Sequence, residues 1–241
     1  MSITKHVPNT ITSLNLVFGL LSVIAALNGE LFNAGIFIFI AAIMDFFDGF
    51  AARLLNAVTP IGKELDSLAD MVSFGAAPGM IVYSMLLTNQ TVLVFNGVNI
   101  LPYFALLIPV LSALRLANFN IDTRQSDSFI GLPVPANASF IAAIAILLSK
   151  EVEIPNMLWM VELFENGWVL ITVAIILALM LVSHIHLFSL KFKNFSFKNN
   201  IVRYLFLIAA LVLIFLFSFA AIPFIIVLYI VLSVIVNYIF K

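Results

Sequence analysis

Apolar runs long enough to cross a hydrocarbon layer of about 30 Å recur from one end of this sequence to the other. That recurrence constrains the fold more than any other feature. No polar stretch between the runs is large enough for a separate soluble domain, and only 10% of the 241 residues are charged while 63% are hydrophobic. An ordinary water-soluble domain is excluded. The expectation is an all-α, polytopic helical membrane protein, one integral membrane domain over residues 1–241. About eight transmembrane helices are expected, over 11–27, 31–55, 69–87, 101–119, 136–149, 168–187, 201–219 and 223–240. The first run lacks a small-x-small cleavage site and carries Asn15 and Gly19, so it reads as a retained helix. With no cysteine, disulfides and thiol ligands are ruled out.

Sidedness follows from the loops. Ten of the 11 Lys and Arg residues fall on one side, among them Lys5, Arg53, Lys63, Arg115, Arg124 and Arg203. The other side keeps Lys150 with Glu30, Glu151, Glu153, Glu162 and Glu165. Positive charge marks the cytoplasmic face, so both termini are expected there. The basic and aromatic stretch KFKNFSFKNN at 191–200 suits anionic headgroups, whereas nucleic-acid binding needs a larger basic surface.

Against this background the segment MDFFDGFAARLLNAVTPIGKELDSLADMVSFG, residues 44–75, is anomalous. It sets Asp45, Asp48, Asp66 and Asp70 into otherwise apolar helices. Asp45 lies about 15 Å from Leu55 along the helix, which places it inside the membrane. Asp45, Asp48, Gly49 and Ala52 follow the i, i+3, i+4, i+7 spacing of one helix face, and Asp66, Ala69, Asp70 and Ser73 repeat it on the returning helix. Asp48 and Asp70 are equally distant from Thr59, so the two are expected to face each other across the hairpin. Buried carboxylates need compensation, and Arg53 and Lys63 are the only nearby cations. An oxygen-only cluster without His or Cys favours a hard divalent ion, Mg²⁺ or Mn²⁺, and two ions would balance four carboxylates. For one aspartate, pairing with a distant Arg or capping a helix explains as much. For four at these spacings it does not. A cation transporter using the acids as its ion site, and a structural scaffold, remain open from the residues alone.

The pattern DxxDGxxAR, eight residues, then GxxxDxxxD, carried by Asp45, Asp48, Gly49, Ala52, Arg53, Gly62, Asp66 and Asp70, resembles the signature of the CDP-alcohol phosphatidyltransferases. LDSLADMVSFGAAP at 65–78 and FIGLPVPANA at 129–138 are similar to the bacterial and archaeal members that use serine. ANFN at 117–120 departs from them, since Asn118 stands where an arginine is common. The resemblance implies the fold of that family, with a catalytic core at about 8–187 and two further helices at 201–240. It implies CDP-diacylglycerol and L-serine as substrates, with glycerol 3-phosphate or inositol phosphate as alternative acceptors, and a homodimer in the inner cell membrane with its active site facing the cytoplasm. By the same resemblance Asp45, Asp48, Asp66 and Asp70 hold the metal pair, and Asp70 is the base. Asn9, Thr12, Gly49, Ala52, Arg53 and Gly62 hold the CDP group. Ser67 supports serine as the acceptor, and Arg115 and Arg124 can bind its carboxylate or a phosphate through a planar fork.

Overall fold

Small residues decide how the first two helices meet. The computed structural model describes residues 6–121, 128–149, 151–152, 157–188 and 200–238. Helix α1 (His6–Leu27) buries Pro8, Thr12, Asn15, Gly19, Ser22 and Ala26, a small and polar stripe, while Leu14, Val17, Leu20 and Ile24 are exposed. Lipid is as apolar as leucine, so close backbone approach and hydrogen bonds hold such helices together. Accordingly, α1 packs along α2 (Leu31–Leu54), and the Ser22 hydroxyl donates to the Ala34 carbonyl at 2.7 Å.

The returning span is continuous from Pro60 to Leu87, but in three parts: α3 (Pro60–Asp70), a π-helical stretch (Met71–Ala76) and α4 (Ala77–Leu87). It starts nine residues before the apolar run at 69, because Thr59 caps it by accepting from the Gly62 N–H at 3.1 Å and Pro60 opens the first turn. Beyond a short β1–β2 hairpin (Val94–Phe95, Val98–Asn99), a 3₁₀ turn at Leu101–Leu106 leads into α5 (Leu107–Ile121).

Helix α6 (Val134–Leu148) has 15 residues, about 22 Å of helix, short of a hydrocarbon layer. Protein surrounds it, with Ala138, Ala142, Ala145 and Ile146 at 0% exposure. Helices α7 (Leu158–Glu165) and α8 (Gly167–Leu181) form a pair bent by 88°. Asn166 sits at the bend and caps α8, accepting from the Trp168 N–H at 3.0 Å. The sixth apolar run was expected to stay helical to 187. It stops at Leu181, and β4 (His186–Phe188) pairs antiparallel with β3 (Ser128–Ile130), the segment just before α6.

The final 37-residue stretch Ile201–Asn237 is long and apolar, but it folds back at Ser218, whose φ is 49°, into α9 (Ile201–Phe217) and α10 (Ala221–Tyr238). Phe206 and Tyr229, nearly equidistant from that turn, meet with ring centroids 5.8 Å apart and planes tilted by 50°, as an antiparallel hairpin allows. Among the described residues five stretches are long and apolar enough to span a membrane, and the bent pair makes a sixth. With α6, and with α9 and α10 taken separately, helical segments follow all eight apolar runs, in the all-α polytopic architecture.

Candidate active site

The connection between α2 and α3 sets which acids meet. Helix α2 ends at Leu54 and α3 begins at Pro60, so the hairpin turns about buried Ala57, after Asn56 at φ 49°. About that centre Asp48 pairs in depth with Asp66, and Asp45 with Asp70. The expected facing of Asp48 and Asp70 across Thr59 is therefore corrected by one helical turn. The carboxylates of Asp45, Asp48 and Asp66 each place an oxygen within 4.8 Å of the others. Asp70 lies one turn deeper and interacts with Asp45. The Asn15 side-chain amide donates to its Oδ1 at 3.2 Å.

That last contact depends on the approach of α1 to the π-helical stretch. The Ser73 hydroxyl donates to the Asn15 carbonyl at 3.0 Å, and Gly19 leaves no space for a side chain against Ser73. A π-helical stretch, frequent at functional sites, follows Asp70 directly.

A cavity of about 210 Å³ opens beside the acids. Asn9 and Thr12 line it from α1, Asp48, Gly49, Ala52 and Arg53 from α2, and Gly62, Lys63 and Asp66 from α3. All six residues expected at the CDP group thus share one cavity. Gly49 is informative because protein packing does not demand it. A Cβ there would meet only the Arg53 guanidinium, at 3.6 Å and beyond, so the space that it keeps is cavity space. Gly62 is different: a Cβ would stand 3.0 Å from both Asn9 Oδ1 and Thr59 Oγ1, where α1 crosses the start of α3.

The donor set fits hard divalent ions. Every donor is oxygen, and Asp48 Oδ2 and Asp66 Oδ1 are buried with no hydrogen-bond partner among the described residues. Orphaned carboxylate oxygens at this depth are tolerable once a cation binds them.

The two described acceptor candidates, Ser67 and Arg115, lie elsewhere. Ser67 accepts from the Asn120 side-chain amide of α5 at 2.9 Å and does not line the cavity. Arg115 is buried on α5, its guanidinium 5.4 Å from the Phe119 ring centroid. Arg124 lies outside the described residues, as do Lys150 and the basic stretch 191–199. Lys63 and Asn15 were not among the expected site residues. Lys63 lines the cavity, and its Nζ also donates to the Asn120 carbonyl at 3.4 Å. A polar side chain inside an apolar helix was the available signal for Asn15.

Fold and site define a helical membrane protein whose carboxylates, carried by two long apolar spans, adjoin a cavity with cationic walls. The model of the CDP-alcohol phosphatidyltransferase family matches residues 5–185, and the chain belongs to that family. It is 43% identical over 131 residues to the CDP-diacylglycerol–serine O-phosphatidyltransferase of Bacillus subtilis, covering 54% of this chain and 70% of the relative. Identity to the enzyme of the same name from Helicobacter pylori is 30% over 235 residues, covering 85% of this chain and 93% of that one. The archaetidylserine synthase of Methanothermobacter thermautotrophicus is 35% identical over 138 residues, 56% of each chain.

Proposed function

We propose that this protein transfers the phosphatidyl group of CDP-diacylglycerol to the hydroxyl of L-serine, giving phosphatidylserine and CMP. The observation that carries the reading is the convergence of three carboxylates within 4.8 Å beside a cavity built from the family's motif positions. Serine as the acceptor is supported by the names of the relatives.

Asp45, Asp48, Asp66 and Asp70 would hold two divalent ions, Mg²⁺ or Mn²⁺. When bound, such ions neutralise a pyrophosphate and stabilise the departing CMP. Arg53 and Lys63 supply positive charge on the cavity wall, and Gly49 and Ala52 let the nucleotide approach the backbone. Asp70 takes the proton of the serine hydroxyl as its oxygen attacks the phosphorus bearing the lipid. The bond from that phosphorus to the CMP oxygen breaks, and Asn15 holds the Asp70 carboxylate in place throughout.

We place the molecule in the inner cell membrane with both termini and the cavity on the cytoplasmic side, since ten of its 11 Lys and Arg residues group there. The lipid tails then remain in the bilayer while serine and CMP exchange with water. Residues 8–187 form the catalytic core in this reading, and the assembly is a homodimer.

The test is purified protein in detergent with CDP-diacylglycerol, labelled serine and either metal. Metal-dependent CMP release with matching serine incorporation is expected. Release without incorporation moves the acceptor to glycerol 3-phosphate or inositol phosphate. Absence of release would refute the reading. Asp70→Asn is expected to abolish turnover with the fold intact.

A further inference from the structure

We infer that the α9–α10 hairpin positions the acceptor side of the site by serving as a helical edge for β4, with Tyr229, Ser233 and Asn237 as positioning residues. The inference rests on the function proposed above, and it concerns a segment outside the family match at 5–185.

Backbone groups of a strand point alternately to its two edges. On the β3 side, the Ile185 carbonyl accepts from the Gly131 N–H at 2.8 Å, so His186 and Phe188 turn theirs the other way. Helix α10 meets them. The Tyr229 hydroxyl donates to the Phe188 carbonyl at 2.9 Å, the Phe188 N–H donates to the Ser233 hydroxyl at 3.4 Å, and the Asn237 amide donates to the His186 carbonyl at 2.8 Å. The spacings match: four helical residues rise about 6 Å and two strand residues about 6.6 Å, so positions four apart on α10 track positions two apart on β4. An open strand edge beside a membrane needs this kind of satisfaction. Rings lock the contact, since Phe188 stands 5.1 Å from Tyr229 and 6.1 Å from Phe206 of α9.

The ribbon bears on the site through the helices it joins. β3 runs through Gly131, Leu132 and Pro133 directly into α6, and the Leu132 N–H donates to the Met180 carbonyl at the end of α8. Helices α5 and α6 both pack on the π-helical stretch that follows Asp70. The cavity assigned to the nucleotide draws its walls from α1, α2, α3 and the turn before α3, which leaves the α5 and α6 side of Asp70 for the acceptor. That side has unspent polar capacity: the Ser112 hydroxyl on α5 and both amide atoms of Asn137 on α6 are buried without a hydrogen-bond partner among the described residues. A ribbon held by α10 fixes the start of α6 and therefore where Asn137 stands against the π-helical stretch.

The experiment compares full-length wild type with Tyr229→Phe, which keeps the ring, and with Tyr229→Phe combined with Asn237→Leu and Ser233→Ala, the last of which removes the acceptor of the Phe188 N–H. Hydrogen exchange at the β4 amides and separate KM values for serine and CDP-diacylglycerol are measured. Removing these bonds is expected to speed exchange at Phe188 and raise the serine KM by about tenfold, with kcat and the CDP-diacylglycerol KM nearly unchanged. Unchanged exchange, an unchanged serine KM, or a parallel loss of kcat and both KM values with lowered thermal stability would overturn the inference. If wild type incorporates no serine, the functional reading falls by itself. The KM comparison then passes to the alcohol that is accepted, and β4 exchange still decides whether α10 holds the ribbon.

Discussion

Gly19→Ala puts the strongest demand on the site as described. A Cβ on Gly19 would stand 2.7 Å from Ser73 Cα and 2.9 Å from Ser73 Cβ, whereas ordinary contacts lie at 3.4–4 Å. The nearer of these two atoms belongs to the backbone, so no rotamer change relieves the clash, and α1 must part from the π-helical stretch by about 1 Å. Asn15 is one turn away on the same buried face. A parting of that size lengthens its 3.2 Å bond to Asp70 to about 4 Å, beyond hydrogen-bond range. Overpacking of this kind costs about 1–3 kcal/mol, and losing a bond to a carboxylate about 1.5–3 kcal/mol. The expected result is a kcat lower by roughly 10–100-fold together with a drop of several degrees in melting temperature. Metal-dependent CMP release and thermal unfolding in detergent measure the two effects. Adding Ser73→Gly is expected to restore little, because the clash with the backbone of residue 73 persists. Wild-type kcat and melting temperature in Gly19→Ala would refute the account of how Asn15 reaches Asp70.

Three further outcomes follow from single interactions. Asn15→Leu keeps the branched outline and removes the donor to Asp70, so kcat is expected to fall by about 10–100-fold with CDP-diacylglycerol KM little changed, as read from steady-state CMP release. Arg53→Lys keeps the charge and loses the planar fork, and the expected change is a higher CDP-diacylglycerol KM that extra metal does not correct. Gly131→Ala forces a side chain onto a residue at φ 77°, with its Cβ 2.5 Å from the Leu181 carbonyl oxygen. Destabilisation by at least about 1 kcal/mol is expected in chemical denaturation.

The periodic part of the site was readable in advance because a helix turns residue spacing into shared direction. Asp48, Gly49, Ala52 and Arg53 line one cavity for that reason. Depth was less readable. Locating the turn required knowing that the Thr59 cap and Pro60 start α3 early, and hydropathy hid that start because Lys63, Glu64 and Asp66 depress it. The π-helical stretch has no signature in MVSFGA, which suits an α-helix equally well. The start of β4 was misread as helix for a related reason: His186–Phe188 is three residues at the end of an apolar run, too short for period-two alternation to register. Its stability comes from Tyr229, Ser233 and Asn237, more than 40 residues on, and no local pattern carries that information.

The enclosure of α6 has a consequence for biogenesis. Fifteen residues with protein on every side cannot settle in lipid as an independent unit, for lack of both length and an outward stripe. Helices α2 and α4 precede it in synthesis and can receive it, but its sides toward α8 and α10 are covered only after those helices exist, so residues made last complete the enclosure of a helix in the middle of the chain.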